Sequence, residues 1–538
     1  MNLNPPRRHH IRARALGAAC ACAVAVWTAW PTICTAAAAP STLSVAWTDA
    51  NGDADIDRAF QQARSGKKPL LLYWGAQWCP PCNQLKATLF NRQDFIEQTR
   101  AFVTVHIDGD SPGAQKLGAR FKVRGYPTLI LFNPDGAELT RLPGEIDAPQ
   151  VMQVMQLGLA SGRPVKAVLA DARAGRPLTA NEWRLLGFYA WDVDQGQLIA
   201  PADLPKLLSQ LATQAQSVDP GAATRLWLKA LVANAAIDTQ HSAPESTAQS
   251  RLTQVLGDAL STRALADVLS NGADDIVRTL APQAGPARKA LLSPFESALM
   301  RLEADTTLSR ADRLQALQAR VDLARLDLPK NERHPRLSPA LVADVKEQTA
   351  KADRDIVDGY ERQAVISAAA HLLSQVGLWA DSDALLKANI AKSHSPYYLL
   401  SGLANNARQQ GRTDEALRWS EAAFKQSEGP ATRLQWGANY LAALVELNPK
   451  DSARIEKTAA QLFTEAGQDK GAFYERSARS LQKISASLRQ WQALGQSTGQ
   501  SSDPRTAALK RLKNQLNALC PQVDTAGGQR ATCQALMS

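Results

Sequence analysis

Cysteine is scarce in this sequence, seven among 538 residues. Three of them, Cys20, Cys22 and Cys34, stand close to the N-terminus, which leaves Cys79, Cys82, Cys520 and Cys533 for the rest of the chain. So few ligands argue against a zinc site. Cys79-x-x-Cys82 would need two more Cys or His at suitable spacing, but the other Cys pair is remote and His106 falls in a strand pattern. A flavin or nicotinamide fingerprint is also lacking, so no cofactor is expected. The opening of a calcium loop, Asp49-Ala50-Asn51-Gly52-Asp53, goes no further. Ala54 and Phe60 stand where the Gly and Glu of such a loop belong, so the stretch reads as part of a polar linker over 40–52. Charge of one sign is not in strong excess. The formal net charge is +10, and Arg7, Arg8, Arg12 and Arg14 supply part of it. The remainder is mild for a chain of this size and argues against nucleic acid as a partner.

Long apolar runs are also few. Ala15–Trp30 is short for a bilayer span, and Pro31 ends it. With the basic residues before it and the small residues Thr35 to Ala39 after it, the run reads as a secretory signal over residues 1–39. A periplasmic or otherwise exported location is expected, in a compartment where disulfides persist. Cys20, Cys22 and Cys34 would leave with the signal, and an even number of cysteines would remain.

The stretch with the clearest chemistry is Trp78-Cys79-Pro80-Pro81-Cys82, where the apolar run Pro69–Trp74 gives way to a helical pattern. Two thiols three apart at a helix start can close and reopen a disulfide. Unpaired N–H groups and the helix dipole favour a thiolate on Cys79, the attacking species. Cys82, one turn deeper, is the resolving thiol. Around this motif the pattern alternates. Helices are expected over Asp55–Ser65, Pro81–Thr99 and Ala114–Phe121, and strands over Pro69–Trp74, Phe102–Ile107, Thr128–Phe132 and Glu138–Leu142. Asp147 caps a last helix that accepts Pro149 in its first turn and ends near Gly162-Arg163-Pro164.

This order, with Trp-Cys-Pro-Pro-Cys after the first core strand and Val123-Arg124-Gly125-Tyr126-Pro127-Thr128 further on, resembles the thioredoxin superfamily. The resemblance covers about Asp53 to Leu159, within an expected thioredoxin-like domain over 53–162, and Val123 to Thr128 correspond to the family's cis-proline loop. It implies a cis Tyr126–Pro127 bond facing the disulfide, with the Tyr126 backbone pairing to an extended substrate segment and Trp78 flanking the groove. Gly144 matches a glycine that keeps this groove open. The chain departs from the family where many thioredoxins carry a buried Asp and a partner Lys, since Tyr73 and Thr104 stand there. The proton acceptor for Cys82 is therefore open, with Glu97, Asp108 and His106 as candidates on paper. Pro80 and Pro81 lack N–H groups, and no His stands between the cysteines. A strongly oxidising pair needs a heavily stabilised thiolate, so the pair is expected toward the reducing or middle range.

Beyond Pro164 the texture becomes helical throughout, giving a two-part architecture: an α/β thioredoxin-like domain followed by an all-α region over 165–538. Thr179-x-x-Glu182 is a capping box. Gly377 and Gly411, Ser382 and Ala416, and Pro396 and Pro430 are each 34 residues apart. That spacing resembles a degenerate tetratricopeptide repeat over about 363–465, with Ala407 and Ser420 where large aromatics are usual. Such a region can hold a protein partner. Cys520 and Cys533 flank a turn-rich segment with nothing nearby to activate a thiolate, and are expected to form a structural disulfide.

Taken together, these features predict an exported thiol:disulfide oxidoreductase that reduces protein disulfides and draws electrons from a donor protein. The alternatives are a disulfide oxidase or isomerase with the same cysteines, or a helical binding scaffold whose thioredoxin-like part only docks partners.

Overall fold

The computed structural model describes residues 44–142, 144, 147–194, 196–236, 246–496 and 504–537. The signal segment 1–39 and its three cysteines lie outside the described residues, as do 40–43 of the expected linker.

The rest of that linker is not free chain. Thr48–Asp49 forms an edge strand, β1, paired parallel to Val105 and His106. The carboxylate of Asp49 meets His106 Nδ1 at 2.7 Å, and Trp47 packs on Tyr73 and Phe90. Local composition did not show this strand, because two residues on a sheet edge carry almost no periodicity.

The other strands are β2 (Leu70–Gly75), β3 (Val103–Asp108), β4 (Thr128–Phe132) and β5 (Glu138–Leu142), and the sheet order is β1-β3-β2-β4-β5. β2 runs parallel to β3 and antiparallel to β4, and β5 is antiparallel to β4. Central β2 is buried at all six positions, which explains its unbroken apolar run. Two cores form on the two faces of the sheet, one holding Leu71, Tyr73, Phe95 and Val151, the other Ile56, Leu72, Trp74 and Ile130.

The helices of this part are α1 (Asp53–Gly66), α2 (Pro80–Thr88), α3 (Gln93–Thr99), α4 (Ala114–Phe121) and α5 (Ala148–Ser161). Sequence periodicity gave α2 and α3 as one helix, Pro81–Thr99. The structure breaks it at 89–92, where the Phe90 N–H still bonds Leu85 O and Arg92 begins the next helix. The break turns Phe90 and Phe95 into one core, with their rings stacked at 5.6 Å. On a continuous helix, residues five apart point away from each other. Asp147 caps α5 as expected, accepting from Gln150 N–H at 2.9 Å.

From Val165 onward the chain is helical. The capping box at Thr179 forms, with the Thr179 N–H donating to Glu182 Oε2 at 2.8 Å. The 34-residue spacing corresponds to stacked helix pairs: Gly359–Gln375 with Trp379–Asn389, Tyr397–Gln409 with Thr413–Gln426, and Pro430–Leu447 with Ser452–Gln468. Gly377 (φ 82°) and Gly411 (φ 72°) make the tight left-handed turns inside the first two pairs, where a Cβ would be strained. Pro396 and Pro430 stand at helix starts. A repeat-like helical region therefore follows the mixed sheet.

The two parts are packed together. The Gly359–Gln375 helix lies on α2, and Glu475–Gln496 lies on α4. Gln84 on α2 donates to Asp312 Oδ1 at 2.7 Å, and Arg263 Nη1 reaches Asp147 at 2.6 Å. Among the described residues, no helix is long and apolar enough to cross a membrane.

Candidate active site

β2 ends at Gly75, and the chain turns through Ala76–Trp78 into α2. Cys79 is the N-cap of that helix, and its Sγ accepts from Cys82 N–H at 3.2 Å. The prolines at the first two helical positions suit the helix start, where their missing N–H groups cost no intrahelical bond. Cys79 and Cys82 are joined as a disulfide with Cα atoms 5.2 Å apart. Both are buried, Cys79 with 2% of its surface exposed. Buried Asn83 ties the approach to the helix, since its Nδ2 donates to Gln77 O and Cys79 O, each at 2.8 Å.

Facing the disulfide is the loop before β4. The Tyr126–Pro127 bond is cis, and Tyr126 O lies 3.5 Å from Cys79 Sγ. Gly144 packs on Pro127, and a Cβ there would come within 2.8 Å of Pro127 Cγ. The structure thus brings Cys79, Cys82, Tyr126 and Pro127 together. Trp78 stands at the edge of the same site, with its ring 6.2 Å from that of Tyr126.

The candidate proton acceptors are dispersed. Glu97 is on α3 and takes a hydrogen bond from Gln93. His106 is held by Asp49 and stacks on Tyr73. Asp108 ends β3 and accepts from Asp110 N–H at 2.9 Å. Tyr73, at the position of the family carboxylate, is buried, and its hydroxyl has no hydrogen-bond partner among the described residues. Burial, and then the Asp108 charge, push its pKa far up. Burial also lowers Lys86, with Asp108 opposing the shift.

The sequence reading missed a second group of residues, which comes from the helical region. Trp78 Nε1 donates to Asp110 Oδ2 at 2.9 Å. Asp110 also receives Thr432 N–H and Oγ1 and the Arg476 guanidinium, the last at 2.6 Å. Gln363 and His394 reach the backbone carbonyls of Trp78 and Gln77. These residues lie hundreds of positions from the motif, and no local pattern links them to it. The Cys520–Cys533 pair is a disulfide in a different place, buried in the helical core beside Leu516 and Leu536.

A five-stranded mixed sheet with a disulfide at the start of α2, facing a cis-proline loop, defines a thioredoxin-like domain. Sequence comparison agrees: residues 56–158 match the family described as Thioredoxin-like domain. The chain is similar to the thiol:disulfide interchange protein DsbD of Pseudomonas fluorescens, 30% identical over 112 residues, 20% of this chain and 19% of that protein. It is similar to DsbD 1 of Pseudomonas aeruginosa, 30% identical over 115 residues, 21% of this chain and 20% of that one. Among solved structures it is similar to oxidized thioredoxin O2 from Arabidopsis thaliana, with 23% identity, 20% of this chain and 91% of that chain covered, and a TM-score of 0.18. The chain spans about a fifth of the length of the curated relatives it matches.

Proposed function

We propose that this protein is an exported thiol:disulfide oxidoreductase that reduces disulfides in other proteins. The observation that carries the reading is Cys79 at the N-cap of α2, with its sulfur 3.5 Å from Tyr126 O of the cis-proline loop. Once the pair is reduced, the Cys82 N–H that now faces Sγ would stabilise a Cys79 thiolate. That thiolate attacks one sulfur of a substrate disulfide. The substrate S–S bond breaks, its other sulfur leaves as a thiolate and takes a proton, and a mixed disulfide forms on Cys79. Cys82 then attacks Cys79, releases the second substrate thiol and closes the Cys79–Cys82 bond. Two electrons pass to the substrate, and a dithiol protein must return them. Export is supported by the basic-then-apolar pattern of residues 7–30 and by the buried second disulfide.

Replacing Cys82 by Ser should accumulate mixed disulfides on Cys79, detectable by non-reducing electrophoresis and mass mapping. In the reduced protein Cys79 should alkylate faster than Cys82 near neutral pH. If no mixed disulfide is captured, and Cys79 alkylates no faster than an unstructured thiol, the assignment fails. A reduction potential measured against glutathione decides direction. A value in the range of strong oxidants would replace the reductase by an oxidase.

A further inference from the structure

The groove beside Cys79 is flanked on one side by packed aromatic and charged groups. Tyr398 stacks on Trp78 at 6.0 Å between ring centroids. The Arg476 guanidinium lies 5.0 Å from the Trp78 ring and 5.4 Å from the Tyr126 ring, and it is paired with Asp110. These groups satisfy one another, and the cavity of about 460 Å³ that Trp78 lines on that side is bordered by the carboxyl residues Asp49, Asp108, Asp110 and Glu428.

The other side is hollow. A chamber of about 320 Å³ runs along Pro81, Tyr126, Pro127 and Gly144. Its opposite wall comes from the helical region: Val193 in the turn after Trp191, Lys229 and Val232 on the Pro220–Ala235 helix, and Val268 and Asn271 on Ala266–Asn271. Lys229 is 7% exposed, and its partner Asp192, at 3.3 Å, is 61% exposed. The wall is therefore mainly apolar, and its charged members are paired, Lys229 with Asp192 and Asp267 with Arg225.

We infer that this chamber is the substrate site, and that it takes a single extended, cysteine-bearing segment of polypeptide, such as a flexible tail or loop, and excludes the face of a folded domain. The inference rests on the thiol–disulfide reading above. Its volume lies at the lower end of the range for ligand clefts, about 300–1,000 Å³, which suits one strand. An extended strand needs only backbone partners along its edge and pockets for alternate side chains, and the chamber is lined by Pro127 and by Tyr126, whose carbonyl oxygen lies 3.5 Å from Cys79 Sγ. A folded surface would have to displace Lys229, Val268 and their helices, which belong to buried cores. The electrons follow the route given above: the reduced Cys79–Cys82 pair is oxidised, the segment's disulfide is reduced, and its leaving sulfur departs as a thiol.

The test uses the full chain, reduced beforehand with dithiothreitol and freed of it. Three probes carry thionitrobenzoate in disulfide linkage: the symmetric small-molecule disulfide, a short unstructured peptide with one cysteine, and a rigid folded domain with one surface cysteine. The peptide should react at least about ten-fold faster than the domain. Asn271→Trp and Val193→Trp, on separate parts of the wall, should each slow the peptide about ten-fold or more. Their midpoint potentials against glutathione should stay at the wild-type value, which also shows that they fold. Equal rates for peptide and domain, or peptide rates untouched in both variants, overturn the chamber. So does reaction with the small disulfide alone. If the wild type reacts with none of the three probes, the thiol–disulfide reading itself fails.

Discussion

Tyr73 stands six residues before Cys79, where many thioredoxins hold a buried carboxylate. Its buried hydroxyl has no hydrogen-bond partner among the described residues, and burial with the nearby Asp108 charge raises its pKa. It is therefore protonated at neutral pH and cannot accept a proton from Cys82. Tyr73→Phe removes an unsatisfied polar atom while keeping the ring that packs on Trp47, Phe90 and His106. Stability should stay level or rise by about 1 kcal/mol, and reduction rates should change less than about two-fold. Urea unfolding and a disulfide-reduction assay check both. A ten-fold loss of rate with stability intact would make Tyr73 part of the proton path.

Among the elements, the Arg310–Ala324 helix carries a testable electrostatic cost. Asp322 is half-buried there, and its pKa is raised from 3.8 to about 6. Burial is the main cause, the Asp274 charge adds to it, and the hydrogen bond from Gln318 and the Arg325 charge oppose it. Between the two pKa values the folded chain keeps a proton that the unfolded chain has lost. Stability therefore falls as pH rises from about 4 through 6, and the full cost is present above that. Asp322→Asn should stabilise the protein at pH 7 by about 1–2 kcal/mol after allowance for solvent screening. The gain should vanish below about pH 4. Thermal melts of both proteins across this range give the answer, and a gain independent of pH would contradict the assignment.

At the scale of the whole molecule, the Asp110–Arg476 pair joins the thioredoxin-like sheet to the helical region. Both side chains are largely buried, and Arg476 also covers Trp78 and Tyr126. Removing one partner leaves a buried charge with fewer donors. Arg476→Met should cost about 3 kcal/mol in urea unfolding. Asp110 keeps Trp78 Nε1 and Thr432, which places the loss toward the low end for such pairs. Arg476→Lys should recover only part of it, because an ammonium lacks the planar fork that meets the carboxylate and stacks on rings. Full recovery by Lys would reduce the role of Arg476 to charge alone.

The sequence by itself determined the local features. The buried run of β2, the Cys79 helix start, the Asp147 and Thr179 caps and the glycine turns of the 34-residue spacing all have causes within a few residues of the chain. Short-range sterics and hydrogen bonding write such features into composition. The Trp78, Cys79, Cys82, Tyr126 and Pro127 constellation was legible because two motifs stand at one family's separation. Tertiary structure alone decided the break between α2 and α3, the edge strand at Thr48–Asp49, and the surroundings of the disulfide. The break serves a shared aromatic core, and the edge strand is too short to have a period. Arg476, Tyr398, Gln363 and Lys229 meet the thioredoxin-like part across sequence distances of a hundred to several hundred residues. Their positions follow from how the helix pairs stack and where the last helices return to α4. That geometry sums many small packing preferences, and no single stretch of sequence encodes it.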